Sequence, residues 1–133
     1  MDIKIVGNVE KGYLEDAGVD IFIDEDVTFE PLSTTIVPLN CKVIIPHDCL
    51  GTLCARTSAA AKGLNIAMCP IDPDYDGKLM AIVHNISNKQ VKYSKGQSFC
   101  QVIVMKAVII KGVPVRYNGV RKDERLGSTG RCD

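Results

Sequence analysis

The run Cys69-Pro70-Ile71-Asp72-Pro73-Asp74-Tyr75-Asp76-Gly77-Lys78 places three carboxylates and one aromatic ring in six positions between two apolar stretches. Prolines at 70 and 73 fix φ and Gly77 relaxes it, so the segment reads as a tight, shaped hairpin approach that can hold a base beside a bound substrate. An Asp- and Gly-rich segment between strands is also an ordinary turn, because Asp side chains cap turns well. A second group of candidates is Gly127-Ser128-Thr129-Gly130, which offers unhindered backbone N–H groups and two hydroxyls, with Arg121 and Arg125 adding positive charge. That is the chemistry needed to wrap a triphosphate. The third is Arg56 followed by Thr57-Ser58-Ala59-Ala60-Ala61-Lys62. Hydroxyl residues ahead of three alanines predict a brief helix over 57–62, whose free N–H groups can help receive a phosphate beside the arginine.

The elements that must position these groups are strands. Ile3/Ile5, 19–23, 34–37, 42–45, 52–56, 79–83 and 99–110 are short apolar or alternating runs separated by Gly, Pro, Asn and Asp. Many short strands at close spacing predict an all-β chain folded as a sandwich or jelly roll, which protects its edges by folding back on itself. From Gly112 onward the pattern changes: Val113-Pro114-Val115 is the last strand-like piece, and the charged, aperiodic remainder carries glycines at 119, 127 and 130. Two segments are therefore expected, a β domain over 1–116 and a flexible C-terminal arm over 117–133. By composition alone the second also fits a frayed end.

With 133 residues and 46% hydrophobic content, the chain is expected to form one domain whose modest core would gain from oligomerisation. Sixteen basic and sixteen acidic residues cancel, which gives no general electrostatic argument for nucleic-acid or membrane affinity, so any polyanion site must be local. No apolar run approaches the length of a membrane span and the charged start Met1 to Val6 lacks a signal peptide's apolar region, so an intracellular location is expected, in the cytoplasm or in a host cell. The six cysteines, at 41, 49, 54, 69, 100 and 132, include no C-x-x-C pair, and the two histidines stand far apart at 47 and 84. Cys41, Cys54 and Cys100 sit within apolar runs, where a reduced thiol behaves as a small hydrophobe.

Ile71-Asp72-Pro73-Asp74-Tyr75-Asp76-Gly77 resembles the third of five motifs of the trimeric dUTPases. Ala17-Gly18-Val19-Asp20 resembles the first, Arg56 to Lys62 the second, Lys95-Gly96-Gln97-Ser98-Phe99-Cys100-Gln101 the fourth, and Arg121 to Gly130 the fifth. All five occur in the family's order. The resemblance implies a distorted jelly roll of the β-clip type with one short helix, a homotrimer, and magnesium-dependent hydrolysis of dUTP to dUMP and pyrophosphate. Such a reaction needs a water aimed at phosphorus, a base to take its proton, and charge stabilisation on the leaving pyrophosphate.

The resemblance also implies roles. Asp72 is the base; Arg56, Arg121, Ser128 and Thr129 neutralise phosphate oxygens; and Asp20 holds a water bound to Mg²⁺. Thr57 or Ser58 lies near the bridge between the α and β phosphates, and Gln101 binds a phosphate or its ordered water. Tyr75 carries the sugar and leaves no room for a 2′-OH, Met80 offers backbone atoms to the pyrimidine edge, Asn65 adds an amide, and Leu126 with Gly127 covers the base. In the family the arm closes over a neighbouring subunit's site. Four departures mark a divergent member: Cys69-Pro70 replaces Gly-Val or Gly-Thr, Leu126 replaces a Phe, Gln97-Ser98 replaces Asp-Arg, and Ala55 replaces a Pro.

Two other functions fit a chain of this shape. A related dCTP deaminase shares the jelly roll and an Ile-Asp-Pro motif, but its catalytic Glu aligns with Ile82 and an accompanying Arg with Ala61, which leaves no carboxylate to relay protons. A nucleotide-binding regulatory protein without turnover is the other, against which stand Asp72 and the intact Gly-Ser-Thr-Gly run.

Overall fold

The computed structural model describes residues 3–11, 17–108, 110 and 112. Alternating side chains dictate its local structure. In Cys41-Lys42-Val43-Ile44 the first and third residues are buried and the others exposed, and in Met80 to Asn85 the buried members are Ala81, Val83 and Asn85. A period of two puts one face of each strand on the core.

The described strands are β1 (Lys4–Gly7), β2 (Val9–Glu10), β3 (Gly18–Ile21), β4 (Val27–Phe29), β5 (Ser33–Pro38), β6 (Cys41–Ile44), β7 (Cys49–Ala55), β8 (Leu64–Ile66), β9 (Met80–Asn85), β10 (Val91–Tyr93) and β11 (Cys100–Lys106), with helix α1 (Thr57–Ala61) after β7. They form a four-stranded sheet ordered β2-β3-β11-β7, a three-stranded sheet ordered β5-β9-β8, and the pairs β1-β6 and β10-β4. All ladders are antiparallel, and β11 lies between β3 and β7 although it is the last described strand. Strands distant in sequence thus become neighbours, the crossing of a jelly roll. The all-β expectation is met.

Between the sheets, Phe29, Phe99 and Tyr93 form an aromatic cluster, with Phe29 and Phe99 edge to face at 5.3 Å between centroids and Tyr93 5.7 Å from Phe99. Each such pair adds about 1 kcal/mol beyond the area it buries. Asn85 is buried, yet all its polar atoms are used: Nδ2 donates to the carbonyls of Phe29 and Lys89, and Oδ1 accepts from the backbone N–H and the hydroxyl of Ser87. The amide ties the 86–90 turn to the end of β4.

Four strands, β2, β4, β8 and β10, have no counterpart in the sequence reading. Each is two or three residues long, too short to show a period, and exists because a partner reaches it, as Val91 pairs with Phe29. The run expected to continue to Ile110 ends as a strand at Lys106. Its last register partner is Cys49, where β7 begins, and after the Ala107 N–H donates to the Asp48 carbonyl no neighbouring strand remains among the described residues. Helix α1 stops one residue short of the expected Lys62, which serves as its C-cap ahead of Gly63 at φ 101°. Val113-Pro114-Val115 and the arm over 117–133 lie outside the described residues.

Cys41, Cys54, Cys69 and Cys100 carry free thiols; Cys41 and Cys100 are buried, while Cys54 is partly exposed on the outer face of its sheet. Burial pushes the Cys41 thiol up to about 11 and the Cys100 thiol up to about 12 from an ordinary 9.0. An unfolded chain therefore loses these protons first as pH climbs. The stability they contribute is complete below pH 9.0 and disappears as pH rises through the folded values. The melting temperature should fall from about pH 9 upward, and Cys100→Val should flatten that fall. An identical pH slope in the variant would place the alkaline loss elsewhere.

Candidate active site

One half of the site grows from the outer face of β3, β11 and β7. Asp20 and Gln101 are direct cross-strand partners, and Gln101 in turn faces Cys54. Arg56 follows β7 and is the N-cap of α1, with extended backbone (φ −66°, ψ 150°) and no side-chain cap bond. Its backbone N–H donates to the Phe99 carbonyl at 2.9 Å, which moors it to the start of β11. The guanidinium is gripped on two edges: Nε lies 3.5 Å from Asp20 Oδ1, and Nη1 donates to the Ser98 carbonyl at 3.4 Å. Both charged side chains are partly exposed, so the pair orients Arg56 more than it stabilises the fold, at about 1 kcal/mol or less.

The grip on Arg56 depends on a residue to which the sequence reading assigned no role. Ser98 is buried, and its hydroxyl donates to the Cys100 carbonyl at 2.8 Å, fixing the bend that presents the Ser98 carbonyl to Arg56. No local pattern marks it, since a serine before an aromatic residue is unremarkable. Thr57 and Ser58 are both exposed at the start of α1, so either hydroxyl is open to a ligand beside Arg56.

The other half is the segment between β8 and β9. It is the long loop of a hairpin, as expected: β8 and β9 pair antiparallel, Ile66 facing Val83 and the Ala67 N–H donating to the Ile82 carbonyl at 2.9 Å, while residues within the loop are tied to other strands. Ile71 bridges to Gly51, its N–H donating at 2.7 Å and its carbonyl accepting at 3.1 Å, and the Leu79 N–H donates to the Cys41 carbonyl at 3.0 Å. Pro70 and Pro73 have no N–H to give, so a continuous ladder could not form there. The Tyr75 N–H closes a turn on the Asp72 carbonyl at 3.0 Å.

Tyr75 is fixed as a wall. Its hydroxyl donates to the Lys78 carbonyl at 2.7 Å, and the ring lies against Gly77, where an added Cβ would come within 2.7 Å of the ring carbon bearing the hydroxyl. Beside it opens a cavity of about 310 Å³ lined by Tyr75, Met80, Leu53, Ile82, Cys69 and Pro70 among others. Its walls are almost wholly apolar, which suits a flat base with a few backbone groups reading its edge. Asp72 stands exposed next to the lining residue Ile71. The three carboxylates of the segment are not equivalent: Asp74 lies 3.9 Å from His47 and Asp76 lies 3.5 Å from Lys42, whereas among the described residues no ion pair or side-chain hydrogen bond holds Asp72.

The structure brings Asp20, Arg56, Thr57, Ser58 and Gln101 to one place and Asp72, Tyr75 and Met80 to another. Gly51, the partner of Ile71, and Arg56 are five positions apart on an extended strand, about 17 Å, and Asp72 continues away from Arg56. Asn65 joins neither group. It is exposed and pairs with His84, and Ala67, two residues on, lines the cavity instead. Arg121, Leu126, Gly127, Ser128 and Thr129 lie outside the described residues. A larger cleft of about 570 Å³ between 23–27 and β5 is lined by Asp24, Glu25 and Asp26, a wall that repels phosphate.

A family model described as dUTPase matches residues 7–131. The chain belongs to the dUTPase family. It is 32% identical over 118 residues to the Pol polyprotein of equine infectious anemia virus (strain Wyoming), a match that covers 87% of this chain and 10% of that protein, so the chain spans about a tenth of the length of such relatives. It is 27% identical over 120 residues to a deoxyuridine 5′-triphosphate nucleotidohydrolase of Clostridium novyi, covering 86% of this chain and 84% of that one. The solved structure of the native equine infectious anemia virus dUTPase superposes with a TM-score of 0.78 at 28% identity, over 90% of this chain and all of the other. Membership of the dUTPase family and the jelly-roll expectation are thereby established.

Proposed function

We propose that the chain is a dUTP diphosphatase, hydrolysing dUTP to dUMP and pyrophosphate, which keeps uracil out of DNA and supplies dUMP for dTTP synthesis. The observation that carries this reading is the Tyr75-walled apolar cavity beside an Asp72 carboxylate that, among the described residues, has no ion pair. Asp72 takes the proton of the attacking water. Arg56 and the hydroxyls of Thr57 and Ser58 receive phosphate oxygens, with Arg121, Ser128 and Thr129 of the arm 117–133 completing that shell.

Among the described residues no group of three His, Cys, Asp or Glu side chains can hold a metal ion, and Asp20 is already engaged by Arg56. This donor set fits a magnesium ion that enters with the triphosphate, keeps its waters and needs one carboxylate, Asp20, to hold one of them. Bound so, it would neutralise charge on the phosphates.

The separation of the two half-sites supports a homotrimer in which Asp72 of one subunit meets Arg56 of another. Apolar side chains left uncovered in one subunit outside that cavity agree with this, among them Leu32 at 77% and Ile44 at 54% exposure. Neither nucleic acid nor membrane enters the proposal. The charge balance favours neither, and among the described residues no helix is long and apolar enough to cross a membrane.

Incubation with each dNTP, dUTP and UTP plus Mg²⁺, scoring pyrophosphate, tests the reading. Only dUTP should turn over efficiently, with UTP far poorer because the fixed Tyr75 ring packs against C2′ and excludes a hydroxyl. Tyr75→Ala should narrow the gap between UTP and dUTP. Equal rates for the two in the parent chain would remove Tyr75 from this role.

A further inference from the structure

Gln101 reaches across its own strand in both directions. Its Nε2 lies 3.4 Å from the Ala55 carbonyl on β7, an acceptor that requires the amide nitrogen on that side. The amide oxygen is thereby turned toward β3, where it lies over the bare Cα of Gly18. A Cβ built on Gly18 would sit inside contact distance of Oε1, 2.9 Å from Cδ and 3.2 Å from Cγ, and its three nearest heavy atoms all belong to Gln101. Gly18 is not among the glycines with positive φ, so backbone freedom is not what this position uses. A glycine inside a strand weakens it, and a close approach by another group is one of the few reasons to keep it.

We propose that Gly18 is a positioning residue for dUTP hydrolysis: its missing side chain is the seat that holds the Gln101 amide flat across β3, β11 and β7, beside Asp20 and Arg56. The proposal rests on the functional reading above and assigns a steric reason to the first motif's glycine. Asp20 and Cys54 flank Gln101 as its cross-strand partners. With a methyl at 18, the amide must therefore leave in the direction left open, outward from the sheet, into the space where the triphosphate is to bind. The loss should appear in phosphate binding and alignment, not in the fold.

A double-mutant cycle of Gly18→Ala and Gln101→Ala tests this, read in kcat, KM and thermal melting with Mg-dUTP. Gly18→Ala should lower kcat/KM about 10-fold, chiefly through KM, with the melting temperature little changed. In the Gln101→Ala background the same change should cost little, since the displaced amide is gone. Equal fold-losses in both backgrounds, or parent-like kcat/KM in Gly18→Ala, would overturn the proposal. If Gly18→Ala unfolds, the steric claim requires Gln101→Ala to restore folding, and a double variant as unstable as Gly18→Ala also overturns it. A parent chain that releases no pyrophosphate from dUTP overturns the functional reading instead, an outcome separate from an additive cycle in an active parent.

Discussion

Asp72→Asn leaves the fold and Mg-dUTP binding intact and lowers turnover by about 10²-fold or more, the usual worth of a general base. The substitution is nearly isosteric. Because no ion pair among the described residues holds Asp72, loss of its charge strands no partner there. The neighbouring carboxylates supply the control: Asp74 and Asp76 face His47 and Lys42 in highly exposed pairs, so Asp74→Asn and Asp76→Asn should each stay within a few-fold of the parent. Single-turnover kinetics, melting curves and binding of a non-hydrolysable dUTP analogue separate chemistry from folding and affinity. Activity of Asp72→Asn within a few-fold of the parent would mean that another group activates the water.

Mixing two inactive variants should restore activity. Asp72→Asn and Arg56→Gln each remove one half-site, and the halves lie about 17 Å apart along β7 in a single chain. If a working site takes Asp72 from one subunit and Arg56 from another, a hybrid trimer has at least one site with both groups intact. Co-refolded mixtures should then recover a substantial fraction of parental turnover, where either variant alone has about 1% or less. Sedimentation must give a trimer, and native mass measurement must show the hybrids. Verified hybrids that gain nothing, or a monomer that hydrolyses dUTP, would sink the shared-site reading.

The strands that the sequence revealed are those whose residues carry their own period. Val19 to Ile23, Lys42 to Ile45 and Leu79 to Val83 alternate or run apolar whatever they pair with, and most of their residues are strand in the structure. The hydroxyl-then-alanine signal of 57–61 gave the helix for the same local reason. The candidate residues Asp72, Tyr75, Arg56 and Asp20 were likewise readable, because chemistry restricts residue type at a site and short motifs record that restriction.

What stayed hidden depended on contacts between distant residues. Strands β2, β4, β8 and β10 are too short to show a period and exist only through their partners. The hairpin around Asp72 is present, β8 pairing with β9, but the clamping of its loop onto Gly51 and Cys41 was not readable, because those partners lie on strands distant in sequence. Ser98 gained its place only when folding brought its carbonyl to Arg56, 42 residues away. The sequence thus determined which side chains are the candidates for binding and splitting a nucleotide, because residue type is a local property. The tertiary structure alone decided their grouping: Asp20, Arg56 and Gln101 stand together on one sheet face while Asp72 and Tyr75 stand apart beside a cavity, because strand pairing, not chain order, sets which side chains become neighbours.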